Sequence, residues 1–340
     1  MVVILCHMGP FPDYIGVFLD SASRNSGTDF LIVTDQENVY KTGDNVRWFE
    51  VSNQDLIDRI NNNIGLNINY NIRYKICDFK PTYGVIFSDL VADYAYWAYT
   101  DPDVVWGSVD RVLSGHMSDG VDIFSTRGEY WLAGAFTMFK NDSHINNMFR
   151  LSDAYRDVLS DSKTRRFAET CGMWKGEFFD RDLKSVSESA SMSDIVNFEY
   201  GIDNVKYNNE YVIREYKTKR QWSYGDFEIV SDGTRLLDRD KEILLFHMVF
   251  VKNDSLFYVP RGLPESNKYV IDSRGIMPAR RGEDRFGASS ISLHTGRYLS
   301  AAPKAIKRIA SRVTRLVRRN LGGARNDLRS RPTPQAPSAR

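Results

Sequence analysis

The sequence predicts an α/β protein: a mixed, mostly parallel sheet flanked by helices. Three observations predict it. Short runs that are apolar throughout, such as Val2–Cys6 and Phe30–Val33, suit strands buried on both faces. These runs alternate with segments whose apolar residues recur at helical spacing, which is the pattern of strand-helix-strand units. Aspartates stand where strands end, at Asp35, Asp101 and Asp103, and in such sheets ligands bind at the carboxyl ends of the strands.

Taken in order, "VVILCH" is the first strand and "GPFPD" a loop. "YIGVFLDSASRNS" puts Tyr14, Val17, Phe18 and Ala22 on one helix face, and Asn25-Ser26-Gly27 stops it. "TDFLIVTD" is the second strand and "NVRWFEV" the third. "SNQDLIDRINNNIG" opens with Ser52 and Asp55, a helix start. Pro81 suits a first helical turn, and Tyr83, Ile86, Phe87, Leu90 and Val91 follow on one face. "YAYWAYT" is a strand ending at Asp101, "SVDRVLSGHM" a helix, "GVDIFST" and "GAFTMFKN" strands, with a helix from Ser143. Residues 152–202 read as mixed and mostly helical. "QWSYGDFEIVSDGTRLLDRDKEILLFHMVFVK" reads as a C-terminal β-hairpin turning at Asp232-Gly233, then a strand carrying His247. Beyond Lys268 the chain reads as loop.

Composition narrows the class. The 340 residues are 42% hydrophobic and 26% charged, ordinary for a globular protein. The net charge of +1 conceals an asymmetry: Arg297–Arg340 holds twelve Lys/Arg against one acid, Asp327, so the body is acidic. An acidic body excludes nucleic acid as its partner. Cys6, Cys77 and Cys171 are too few and too scattered for a disulfide framework or a zinc site, and reduced thiols fit the cytoplasm. The N-terminus lacks a basic segment before its apolar run and reads as a strand, not a signal peptide. No apolar run is long enough to span a bilayer.

Asp101-Pro102-Asp103 is the motif that carries chemistry. Two carboxylates one residue apart can hold a hard divalent cation through oxygen, leaving positions open for phosphate. Pro102 restricts the loop between them. Asp-Pro is equally a common turn dipeptide, so the motif gains weight only from its place after an aromatic strand.

In "YKICDFKPTYGVIF…YAYWAYTDPDVVWG" the chain resembles bacterial glycosyltransferases of the GT-A type found in capsule and exopolysaccharide clusters, in particular a group with Cys-Asp-Phe-Lys-Pro ahead of Asp-x-Asp. It is more distantly similar to mannosyltransferase-like and toxin glycosyltransferases. The resemblance runs from about Val2 to Lys252. It implies a Rossmann-like GT-A core over residues 1–296, with a nucleotide-sugar half to about 140 and an acceptor half over about 141–270. It implies Mn²⁺ or Mg²⁺ at Asp101, Asp103 and His247. It implies a nucleotide-sugar donor contacted by Asp35, Asp78, Lys80 and Lys252, and a glycan or lipid-linked glycan acceptor. Phe11 is a candidate to stack on the base. Glu169, in "RRFAETCG", is the one acceptor-side carboxylate the pattern offers. Each residue has a plainer reading beside this one: Asp78 as a helix cap, Lys80 as a solvated lysine, Asp35 as a turn residue, His247 as a satisfied core histidine and Phe11 as packing. A phosphoesterase using the same carboxylates, or an inactive carbohydrate-binding scaffold on the same fold, are the rival readings.

The basic segment is a separate signal. Within residues 297–322, Ile306, Ile309, Val313, Leu316 and Val317 share a helix face while seven Lys/Arg from Lys304 to Arg319 crowd the others. That pattern predicts a basic amphipathic helix lying on an anionic membrane, which would put the enzyme at the inner face of the membrane. The final residues, 323–340, read as a disordered tail.

Overall fold

The computed structural model describes residues 1–128, 131–173, 177–178, 181–215, 228–255, 257–264, 268–272 and 274–279. The described residues all belong to one compact unit, Met1–Arg281. The basic helix and tail predicted at 297–340 lie outside the described residues.

The strands are β1 (Val2–His7), β2 (Asp29–Thr34), β3 (Val46–Glu50), β4 (Tyr96–Thr100), β5 (Val104–Trp106), β6 (Ile123–Ser125), β7 (Phe136–Lys140), β8 (Tyr207–Asn209), β9 (Ile213–Arg214), β10 (Ile229–Ser231), β11 (Leu236–Asp238), β12 (Lys241–Ile243), β13 (Leu245–His247), β14 (Tyr269–Asp272) and β15 (Gly275–Pro278). Seven of them form the central mixed sheet, in the order β3-β2-β1-β4-β7-β6-β8. β3, β2, β1 and β4 run parallel, and β7 lies antiparallel to β4. Thr34, Glu50 and Thr100 therefore end their strands along the same edge. The sheet is largely parallel and covered by apolar clusters on both faces, as the continuous apolar runs predict.

Helix α1 (Ile15–Ser23) buries Ile15, Phe18, Leu19 and Ala22 against the sheet and Val17 in a separate cluster with Val105 and Phe246. Helix α2 (Asn53–Ile60) starts as predicted: Ser52 Oγ accepts from the Asp55 backbone N–H at 3.1 Å. The segment around Pro81 is not one α-helix. It is a 3₁₀ helix, Arg73–Thr82, followed by two short α-helical turns, Tyr83–Ile86 and Ser88–Val91. Tyr83, Ile86, Phe87 and Val91 are nonetheless the buried positions.

Two smaller sheets complete the unit. β12-β11-β10-β14-β15 is antiparallel throughout. The predicted turn at Asp232-Gly233 joins β10 to β11, with Gly233 at φ +107°. Two expectations are corrected here. The chain beyond Lys268 is not loop, because β14 and β15 pair as a hairpin around Gly275, whose φ is +133°. The described part of residues 152–202 is less helical than predicted: it holds α-helix at Tyr155–Ser160, 177–178 and Met192–Gly201 and a 3₁₀ helix at Val186–Glu188, the rest being turns and irregular chain. In the third sheet, β13 lies between β5, antiparallel, and β9, parallel. This small sheet builds the site.

Candidate metal centre

β5 begins immediately after Asp103, and its pairing with β13 sets His247 opposite Val104. The Met248 N–H donates to the Asp103 carbonyl at 2.8 Å. Strand register thus brings an imidazole from late in the chain against the turn that ends β4. Asp101, Asp103 and His247 each offer one ligand atom, and these atoms lie within 4.8 Å of one another. His247 Nε2 is 3.4 Å from Asp103 Oδ1 and 3.9 Å from Asp101 Oδ2.

The other oxygen of each carboxylate is taken by a lysine. Lys252 Nζ donates to Asp103 Oδ2 at 2.7 Å. Lys80 Nζ donates to Asp101 Oδ1 and, at 2.8 Å, to the Gly134 carbonyl. Lys80 also lies over the Tyr99 ring, 5.5 Å from its centroid. The two lysines anchor the carboxylates from outside and leave Oδ2 of Asp101, Oδ1 of Asp103 and Nε2 of His247 facing inward. Two hard oxygens and an imidazole nitrogen suit Mn²⁺ or Mg²⁺ better than a soft metal, so the residues present fit such an ion.

The electrostatics follow from these contacts. Burial opposes the charge on Asp103, but hydrogen bonds and charge from His247 and Lys252 hold its carboxyl well below the usual carboxylate range. Burial would lower His247, yet its bonds to Asp103 and Glu215 raise it to about 9. Lys80 is likewise desolvated but kept charged by Asp101. Nearby, burial lifts the Cys77 thiol up to about 12, so it is no nucleophile.

The remaining predicted residues fall in three places. Asp35 is exposed beyond β2, where its Oδ1 accepts from the Gly9 N–H at 2.7 Å. It lines a cleft of about 420 Å³ with Glu50, Val51, Ser52 and Asn53. A cleft of about 500 Å³ around Arg59 and Asp89 contains no member of the cluster. Phe11 is half-buried, stacked on His7 with centroids 4.9 Å apart and edge-on to Trp48 and Tyr40. Glu169 comes close to the cluster. A Cβ on Gly134 would stand 2.5 Å from Glu169 Oε1, so the glycine makes room for this carboxyl. Burial pushes the Glu169 carboxyl above its ordinary range, against the pull of Arg127, Lys80 and Arg166. Its turn is strained, with non-glycine residues at positive φ in Arg166 (58°) and Cys171 (51°).

Asp78 corrects an expectation. It is wholly buried and cannot meet a donor. Its oxygens accept from Lys75 Nζ at 2.8 Å, the Arg165 N–H at 2.7 Å and the Phe167 N–H at 2.9 Å. It is an anchor for the turn that carries Glu169, two residues further on. Glu215 was not foreseen. It accepts from His247 Nδ1 at 2.5 Å, and nothing in "YVIREYKT" marks it.

A family model, DUF6625 (family of unknown function), matches residues 3–277. The chain belongs to DUF6625. No curated protein sequence matches this DUF6625 member. Among solved structures it is similar to the galactosyltransferase LgtC in complex with donor and acceptor sugar analogs, at 13% identity and a TM-score of 0.33 over 62% of this chain and 73% of that one. It is also similar to apo mouse xyloside xylosyltransferase 1, at 11% identity and a TM-score of 0.37 over 72% of this chain and 96% of that one. Among the described residues no helix is long and apolar enough to cross a membrane.

Proposed function

We propose that this protein is a metal-dependent glycosyltransferase that moves a sugar from a nucleotide-sugar donor to a glycan acceptor. The observation that carries the reading is the convergence of Asp101, Asp103 and His247 within 4.8 Å, at the strand-end edge where Asp35 opens a cleft. Asp101, Asp103 and His247 would hold Mn²⁺ or Mg²⁺, which supplies positive charge for a leaving diphosphate.

In the transfer, the bond from the anomeric carbon to the diphosphate oxygen breaks and one to the acceptor oxygen forms, while the acceptor hydroxyl gives up its proton. Negative charge grows on the leaving group. Lys252 and Lys80, already fixed by the carboxylates, stabilise that charge without reorganising. Glu169 takes the acceptor proton; a carboxyl raised by burial is better matched to that task near neutral pH. Asp35 binds the nucleoside from the cleft beside β2 and β3, with Phe11 and its aromatic neighbours on the same side. The acceptor is a lipid-linked glycan of surface polysaccharide synthesis, reached when the basic segment 297–322 rests on the anionic inner face of the membrane.

The test is a panel of nucleotide sugars incubated with the protein and Mn²⁺. Release of free nucleoside diphosphate from one donor, abolished by a chelator, is the expected result. Phosphate release from simple esters would instead mark a phosphoesterase. No turnover of any donor, with or without glycan acceptors, would leave a binding scaffold.

A further inference from the structure

We propose that Glu215, braced by Arg127, is a positioning residue that fixes the ring of His247 so that Nε2 faces the two aspartates. This rests on the metal-centre reading above and adds the residue that gives the imidazole its orientation.

Chain geometry carries the argument. β9 runs parallel to β13, with Ile213 beside Leu245 and Arg214 beside Phe246. One step further along the same register, Glu215 comes beside His247. The Glu215 Oε1–His247 Nδ1 distance is 2.5 Å, and the two side chains are only 7% and 8% exposed. A second anchor holds the carboxylate from behind, since Arg127 Nη2 lies 3.4 Å from Glu215 Oε2. Arg127 is itself seated over the Trp131 ring, 5.7 Å from its centroid.

The consequence is chemical. An ionised carboxylate only accepts hydrogen bonds, so the nitrogen facing it must carry a proton. Nδ1 therefore keeps its proton toward Glu215, and Nε2, which faces the Asp103 carboxylate, is the nitrogen whose proton a divalent ion would displace. Without Glu215 the ring could flip or take the other tautomer, and the third ligand would be lost part of the time. Partners of this kind typically change metal affinity by about 10- to 100-fold.

The experiment measures Mn²⁺ binding to the full chain directly, from the electron paramagnetic resonance signal of free Mn²⁺, in wild type, Glu215→Gln and Glu215→Ala. Folding is followed by circular dichroism. With Mg²⁺ bound, the imidazole ¹⁵N shifts of His247 report which nitrogen keeps its proton, a property that mere packing would not set. Affinity is expected to fall about tenfold in Glu215→Gln and toward 100-fold in Glu215→Ala, with mixed tautomers in the latter. If Glu215→Ala does not fold, the Gln variant decides. Wild-type affinity in a folded variant would overturn the proposal while leaving the metal centre standing. Absence of Mn²⁺ binding by the wild type would overturn the metal centre, and this proposal with it.

Discussion

Lys252 Nζ donates to Asp103 Oδ2 at 2.7 Å, although 149 residues separate them in the chain. The contact leaves the other Asp103 oxygen for His247 Nε2, 3.4 Å away. One carboxylate therefore joins the end of β4 to the segment after β13 and also supplies an inward ligand atom. Replacing it should disarm the site more than it harms the fold, because β5–β13 pairing and the Met248 N–H to Asp103 carbonyl bond are made by backbone. Asp103→Ala is expected to lose Mn²⁺ binding and donor turnover while its circular dichroism spectrum stays native. Full turnover by this variant would falsify the proposed mechanism.

Gly134 gives a probe of Glu169 that does not touch its charge. A methyl there would meet Glu169 Oε1 at 2.5 Å, and the far end of a flexible side chain can swing aside. Gly134→Ala should fold normally yet displace the carboxyl by about an ångström, which can cost about 10²-fold in rate. Glu169→Gln, which keeps the shape and removes the base, should lower kcat by about 10²- to 10⁴-fold. Both variants should keep wild-type Mn²⁺ affinity. Unchanged kcat in the two together would remove Glu169 from the chemistry.

The Lys75–Asp78 pair is a structural commitment, not a solvated contact. Lys75 Nζ also donates to the carbonyls of Val158 and Lys163 at 2.7 and 2.9 Å, and both side chains are almost wholly buried. Lys75→Met would leave the Asp78 carboxylate buried without its cation, at a cost of about 3–5 kcal/mol. Urea unfolding should show a lower midpoint with an unchanged slope. Since Asp78 also anchors the turn before Glu169, the surviving folded fraction should have reduced kcat. A midpoint equal to wild type would show that the pair contributes nothing net.

What was legible in the chain divides along the range of the interactions. The strands β1, β2 and β4 announce themselves because each is a local apolar run, and a buried parallel sheet demands such runs. Asp101 and Asp103 stand out because they sit at a strand end, whereas His247, a core histidine by its place in "LLFHMVF", is a candidate ligand only through the family resemblance. Glu215 could not, since its role arises only when two-residue β9 pairs with a strand more than thirty residues away. Asp78 misled for the opposite reason. The family resemblance assigns this aspartate to the donor, whereas it spends its oxygens on Lys75 and on backbone 87 and 89 residues later. β14 and β15 were missed because four-residue strands between polar neighbours leave too short a pattern to detect.

The basic segment near the C-terminus makes the last prediction independent of the metal centre. Between Lys304 and Arg319 the sequence places seven Lys/Arg and no acid, with Ile306, Ile309, Val313, Leu316 and Val317 on a common helical face. Each basic residue near an anionic surface adds on the order of 1 kcal/mol, and the attraction weakens with salt. Deleting residues 303–340 should therefore abolish sedimentation with vesicles rich in anionic lipid. Binding of the full chain should fall as salt is raised and should be weak on neutral vesicles. Donor hydrolysis should be spared, because every residue assigned to the chemistry lies at or before Lys252. Loss of hydrolysis together with vesicle binding would mean that the segment serves the catalytic unit itself. Vesicle binding that survives the deletion would place the membrane contact elsewhere on the chain.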